Sequence, residues 1–179
     1  MIPNLLETRR LRLRPFVQGD ASAVLEYSTS DPDWGRFQSG VSSNYSSCDA
    51  EKFVAELIDR DREIQPNWAV TISDRVVGIV SITFEFEHRI AVLGYGIHAE
   101  YRGNGLSGEA SGVVIDHSFK SYIQLRRIGA HTDARNAPSR RVLEKLGFSC
   151  EGILRSKVFA NGEFIDDSVY GLLRDEWSG

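Results

Sequence analysis

The chain predicts an α/β (or α+β) domain, a mixed and mostly antiparallel sheet of about seven strands with helices packed on it. Three observations carry that expectation. Apolar runs at Trp68–Ser73, Val76–Phe86 and Ile90–His98 follow one another with only tight turns between them, so they form an antiparallel meander. The third run passes through a glycine-rich turn into a helix and then into another strand, Arg126–Thr132. A strand–helix–strand crossover makes that outer pair parallel and almost always right-handed. Two last strands, Ser149–Phe159 and Phe164–Leu173, fold back on each other around Ala160-Asn161-Gly162.

Taken in order, Leu11 and Leu13 alternate with Arg10, Arg12 and Arg14, which gives the first strand. Pro15 and Gly19 end it, and Asp20 is placed to cap a helix from Ala21 to about Ser28. Residues Thr29 to Ser47 are rich in Ser, Asp, Gly and Asn, long enough for a functional loop. Aromatic side chains in a polar loop either anchor it to the core or line a substrate mouth, and both readings stand for Trp34 and Phe37. Asp49 is placed to cap a helix running to about Ile64, with Phe53, Val54, Leu57 and Ile58 on one face. The meander follows, with turns at Asp74-Arg75 and near His88-Arg89. In the helix Leu106–Ile123, Leu106, Ala110, Val113, Val114 and His117 share a side. A last helix, Asn136–Leu146, turns Val142, Leu143 and Leu146 inward and ends at Gly147. With no internal repeat and no low-complexity linker, residues 1–179 are expected to be one domain.

Composition narrows the partners. The apolar fraction is 41% and the charged fraction 26%, those of a soluble globular protein. The net charge of −4 argues against nucleic acid as the main partner. Cys48 and Cys150 are too few for a disulfide framework, and are expected as reduced, buried or semi-exposed thiols. No signal peptide and no membrane-spanning run is legible, so a cytoplasmic protein is expected. His88, His98, His117 and His131 show no ligand spacing, so no metal is expected, and His117 and His131 suit packing or surface roles.

The stretch that stands out chemically is Tyr101-Arg102-Gly103-Asn104-Gly105-Leu106-Ser107-Gly108-Glu109-Ala110. Its glycines leave the turn almost free of side chains, so successive N–H groups can converge on one point. They do so at a helix N-terminus, where unpaired donors and the macrodipole favour an anion. Arg102 adds a positive charge, and phosphate or pyrophosphate is the simplest ligand. The plain alternative is a turn whose glycines supply positive φ beside a solvated arginine.

Together with two other blocks this stretch resembles the GNAT N-acetyltransferase superfamily, in its RimJ/RimL-like branch. Leu93-Gly94-Tyr95-Gly96-Ile97-His98 leading into Tyr101-Arg102-Gly103-Asn104-Gly105 is similar to the family's central strand and its Arg/Gln-x-x-Gly-x-Gly/Ala pyrophosphate turn. Asn136-Ala137-Pro138-Ser139 with Leu143-Glu144-Lys145-Leu146-Gly147-Phe148 resembles the branch's Asn-x-x-Ser…Glu-Lys-x-Gly-Phe block. The ending resembles it too, through Glu151-Gly152, Asn161-Gly162, Asp167 and Tyr170-Gly171-Leu172-Leu173.

The resemblance implies helices on both faces of the sheet and a central parallel pair that splays apart. It implies acetyl-CoA as donor and an amine as acceptor, with the pantetheine arm in the gap bonded to strand backbone. Donor-binding positions then fall on Gly96, Ile97 and His98 of the strand, on Arg102, Gly103, Asn104 and Gly105 of the turn, and on Leu106 and Ser107 of the helix. Strand N–H groups near Ile97 would polarise the thioester carbonyl. Asn136 resembles the side-chain amide that bonds the arm, and its plain structural role is a helix cap. Ser139 matches a serine near the donor's sulfur and is the candidate to protonate the leaving thiolate, because the position where many relatives carry a tyrosine is Leu143 here.

The base is less defined. Many relatives carry a glutamate where this chain has Val92, and Glu85 or Glu87 on the preceding strand would have to compensate, with Glu85 the candidate. A free α-amine has a pKa of about 7.7–8.0 against about 10.4 for lysine, a difference of roughly 3.5 kcal/mol in deprotonation cost. An enzyme without an obvious base is therefore expected to favour a protein N-terminus or a small α-amine. The replacements at Val92 and Leu143 keep a non-catalytic CoA-binding or regulatory domain open as the alternative. The acceptor and the oligomeric state, a homodimer included, stay open.

Overall fold

The computed structural model describes residues 3–30, 45–160 and 162–179. Eight strands form one sheet in the order β1-β2-β3-β4-β5-β6-β8-β7. They are β1 (Leu6–Glu7), β2 (Arg12–Arg14), β3 (Asn67–Ile72), β4 (Arg75–Glu85), β5 (Ile90–Ile97), β6 (Arg127–Asp133), β7 (Ser149–Ala160) and β8 (Glu163–Leu173). The strand beyond the expected seven is β1, a two-residue edge paired with β2, too short to show a period. Helices α1 (Ala21–Ser30), α2 (Ser47–Asp59), α3 (Leu106–Ser121) and α4 (Ala137–Lys145) complete the described residues.

Local chemistry explains where several expected boundaries move. The β3–β4 turn is the two-residue loop Ser73-Asp74, with φ of 48° and 65°, one residue earlier than the sequence suggests. Both central residues at positive φ make a type I′ turn, which suits the strand twist even without glycine. Ser46 caps α2, taking the Asp49 N–H on its hydroxyl, while Asp49 bonds back to the Ser46 N–H as the third helical residue. That helix stops at Asp59, short of Ile64. Asp20 is buried; its carboxylate accepts the Val17 N–H and two Arg14 guanidinium nitrogens, the latter both at 2.8 Å.

Helices pack on both faces. Leu106, Ala110, Val114, Ile115 and Phe119 of α3, with Leu143 of α4, cover Leu93, Ile97, Ile128 and Ala130. Val24 and Tyr27 of α1, with Val54 and Leu57 of α2, cover Ala69 and Val76 on the other face. The inward side of α3 is rotated from the expected one: Val113 and His117 are half-exposed, while Ser111 and Ser118 are buried. Ser118 tolerates burial because its hydroxyl donates to the Val114 carbonyl one turn back, at 2.6 Å. Both cysteines are exposed.

Every neighbouring pair of strands is antiparallel except β5–β6. That parallel ladder runs from Ile90↔Arg127 to Leu93↔Ala130 and then stops. Beyond it β5 stays with β4 as far as Gly78↔Ile97, and β6 stays with β8 as far as Asp133↔Asp167. The two central strands therefore part, and Gly94–Ile97 and His131–Asp133 form the walls of a gap.

Candidate active site

The gap presents main-chain groups with a defined parity. His98 N–H donates to the Val77 carbonyl at 2.9 Å, which makes His98 and Val77 a hydrogen-bonded pair of the antiparallel ladder. Such pairs alternate, so Gly96 and Gly94 also spend their N–H and C=O groups on β4. Tyr95 and Ile97 then point theirs the other way, into the gap. The Ile97 carbonyl is taken by Arg102 Nε at 3.0 Å, and the two N–H groups remain available to an extended ligand laid along β5.

At the open end of the gap lies the glycine-rich turn. Gly103 and Gly105 have φ of 79° and 74°, a conformation that costs any side-chain-bearing residue about 1–2 kcal/mol. Gly105 caps α3 with no side chain, and the first helical bond in which an N–H donates is Glu109 N–H to the Gly105 carbonyl. Among the described residues, the N–H groups of residues 103 to 108 therefore find no acceptor. A run of free donors at the positive end of a 16-residue helix is an anion cradle. Arg10 braces it from the N-terminal segment, donating Nη1 to the Asn104 carbonyl at 2.8 Å and Nε to Glu109 at 2.6 Å. Burial alone would raise the Glu109 carboxyl, but bonds from Thr8 and Arg10 hold it below its ordinary value.

Across the gap from β5 is the first turn of α4. Asn136 caps it, Oδ1 accepting the Ser139 N–H at 3.1 Å. The Asn136 amide nitrogen makes no bond among the described residues and stays available to a carbonyl acceptor. Ser139 Oγ lies 2.9 Å from the Tyr95 hydroxyl, which is also 3.0 Å from the Ser139 carbonyl oxygen. Burial pushes the Tyr95 phenol up to about 12, although its bond to Ser139 works the other way. Tyr95 is thus neutral near pH 7 and holds its proton. That one proton serves either the Ser139 carbonyl or Ser139 Oγ, and in the second arrangement the serine proton is free to turn towards the gap.

Comparison with known proteins shows the family to which a chain of this fold belongs. Residues 10–149 match the family model described as an acetyltransferase (GNAT) domain. This chain belongs to the GNAT acetyltransferase family. It is similar to the uncharacterized N-acetyltransferase YoaA of Bacillus subtilis (strain 168), 33% identical over 95% of this chain and 97% of that one. The crystal structure of a GNAT-family acetyltransferase from Bacillus anthracis superposes with a TM-score of 0.84 at 26% identity, covering 96% of this chain and 99% of that one. Mycobacterium smegmatis RimJ, in complex with CoA-disulfide, shares the fold with a TM-score of 0.84 at 24% identity, over 94% of this chain and 84% of that one. GNAT proteins are acyltransferases that use acetyl-CoA, and the bare turn and the main-chain donors of the gap fit that donor.

The GNAT geometry gathers some of the residues picked out in the sequence and leaves others apart. Arg102, Gly103, Asn104, Gly105, Leu106 and Ser107 form the cradle; Ile97 lines the gap, and Asn136 and Ser139 face it from α4. Gly96 flanks it, its main chain bonded to β4. His98 contributes no free N–H, and its ring is buried, with Nε2 2.9 Å from Ser30 Oγ. Glu85 is not brought to the gap. It pairs with Ile90 at the closed end, four residues along β5 from Gly94, roughly 13 Å at the usual rise per residue. Trp34 and Phe37 lie outside the described residues. Leu143 is fully buried in the core, so its side chain serves packing. Tyr95 went unremarked in the sequence as a proton-handling group. A Gly-Tyr-Gly in a strand shows no partner, and the hydroxyl it meets lies 44 residues away. Among the described residues no group of three or more His, Cys, Asp or Glu side chains could hold a metal ion, and no helix is long and apolar enough to cross a membrane.

Proposed function

We propose that this chain, as one domain over residues 1–179, transfers the acetyl group of acetyl-CoA to an α-amine, a protein N-terminus or a small molecule, by direct attack. The gap supports this most: its free Tyr95 and Ile97 N–H groups lie between the anion cradle and the Tyr95–Ser139 hydroxyl pair. The cradle holds the diphosphate, with Arg102 beside it. Tyr95 and Ile97 N–H groups bond the arm and the thioester carbonyl, and donors already aimed where negative charge develops need no reorganisation. Asn136 steadies the arm from the opposite wall. When bound, the thioester supplies an activated acyl carbon and a good leaving group. Ser139, with Tyr95 behind it, gives a proton to the departing sulfur. The exposed, unpaired thiols of Cys48 and Cys150 suit a reducing compartment such as the cytoplasm.

The choice of an α-amine rests on proton cost, since a lysine side chain asks roughly 3.5 kcal/mol more for deprotonation at neutral pH. Thiol release from acetyl-CoA, measured at pH 7 with peptides bearing a free N-terminus and with Nα-blocked lysine peptides, tests it. The expected kcat/KM favours the free N-terminus by roughly a hundredfold or more. Equal rates, or a preference for the blocked lysine peptide, would remove the α-amine assignment.

A further inference from the structure

On β6, immediately past the last residue paired to β5, stands His131. Ile128 and Ala130 point into the core shared with α3, so alternation puts His131 on the opposite face. Val92 pairs with Gly129, which places Val92, Gly94, Gly129 and His131 on that same face, and the register carries His131 alongside Gly94. Gly94 has no side chain to fill the space beside the ring. The histidine side chain is 48% exposed, and its Nδ1 lies 2.7 Å from Oδ2 of Asp167, a carboxylate that is itself 9% exposed. Nε2 has no partner among the described residues.

That arrangement has the parts of a proton acceptor. An imidazole ordinarily changes charge between pH 5 and 8, and the bond made by one ring nitrogen decides which tautomer presents the other. A carboxylate at Nδ1 favours the tautomer with the proton there, which leaves the Nε2 lone pair outward to accept one. Among the described residues, Asp167 on β8 bonds the ring, and Asp133 lies two residues further along the same face of β6. Asp133 is engaged by Arg135, which also reaches Glu163 at 2.9 Å.

We infer that His131, oriented by Asp167, is the base that deprotonates the acceptor amine. This rests on the acetyl-transfer assignment above. An arm entering from the cradle and running down the gap ends near its apex, where Leu93 and Ala130 close it. His131 flanks that apex on one face of the sheet, and the Tyr95–Ser139 pair flanks the gap on the face of α4. The acceptor reaches His131 as an ammonium, and Nε2 takes one proton and passes it to water. The neutral nitrogen then forms the C–N bond as the C–S bond breaks. Its second proton is lost to water as the sulfur gains one from the hydroxyl pair, which water then reprotonates. Each turnover releases one proton.

The test compares wild type, His131→Gln and Asp167→Asn with acetyl-CoA and a peptide carrying a free α-amine and blocked lysines. His131→Gln should lower kcat/KM for the peptide by about a hundredfold at pH 7, the low end for a lost general base. The deficit should shrink as pH rises and the peptide supplies its own neutral amine. Asp167→Asn should show a smaller loss with the same pH trend. Calorimetric affinity for CoA should be unchanged in both. In the protein without donor, the low-field proton of the Nδ1–H···carboxylate bond should be present in wild type and absent in both variants. His131→Gln within twofold of wild type from pH 6 to 9, or a deficit independent of pH, overturns the inference and leaves acetyl transfer standing. A wild type that releases no thiol with the peptide or with spermidine overturns acetyl transfer itself, and the base with it.

Discussion

The hydroxyls of Tyr95 and Ser139 lie 2.9 Å apart beside the β5–β6 gap, one on a strand and the other in the first turn of a helix. Because β5 and β6 diverge beyond Leu93 and Ala130, this bond joins two walls that the sheet itself no longer joins. Under the proposed function it gives the leaving sulfur a donor, where the nearby helix position holds Leu143.

If the pair delivers the proton, Tyr95→Phe and Ser139→Ala should each lower kcat by about a hundredfold, the low end of a general-acid contribution. The double variant should lose little more than either single one, since two members of one relay are not additive. Calorimetric CoA affinity should stay within a few-fold in all three. Additive losses in a pre-steady-state measurement of thiol release would separate the two hydroxyls.

Tyr95 also carries a pH signature. Its phenol moves from an ordinary 10.0 to about 12, chiefly through burial. A group whose pKa is raised on folding contributes stability below the unfolded value and loses it as pH climbs towards the folded one. Wild type should therefore lose stability more steeply than Tyr95→Phe between about pH 10 and pH 12, as read by urea denaturation.

Arg10 and Glu109 hold the anion cradle to the N-terminal segment. Arg10→Ala removes the donors to both Asn104 and Glu109 and should weaken CoA binding several-fold in calorimetry, with a stability loss of about 1 kcal/mol. The Glu109 carboxyl is held below its ordinary 4.5, so its contribution exists above that value and fades as pH falls through the folded one. The stability gap between wild type and Glu109→Gln should begin to close as pH falls below 4.5.

Gly78 lies beside Gly96 with no room to spare. A Cβ there would collide with the Gly96 carbonyl oxygen and sit 2.6 Å from Ile97 Cδ1. The first of these is main chain and cannot swing away, so Gly78→Ala must displace the strand that lines the gap. A cost of about 2 kcal/mol is expected, which is a melting-temperature fall of about 4–8 °C at this chain length. CoA affinity should fall with it.

The meander, the crossover, the anion turn and the helix cap at Asn136 are all legible in the chain because each depends on residues close in sequence. Alternation sets a strand, three glycines bare a turn, and an asparagine three residues before Ser139 caps a helix. Even there the limits are physical: β1 is too short for a period, and the Ser73-Asp74 turn lacks the glycine that usually announces it. What only the tertiary structure decides is which distant groups meet. The β5–β6 ladder ends at Leu93 because each strand follows its other neighbour. That divergence leaves the Tyr95 and Ile97 amides unpaired, sets Tyr95 against Ser139, and leaves Glu85 at the closed end. The β6–β8 register in turn places His131 beside Asp167, a meeting across 36 residues that no local pattern encodes, since register between strands is settled by packing on both faces of the sheet.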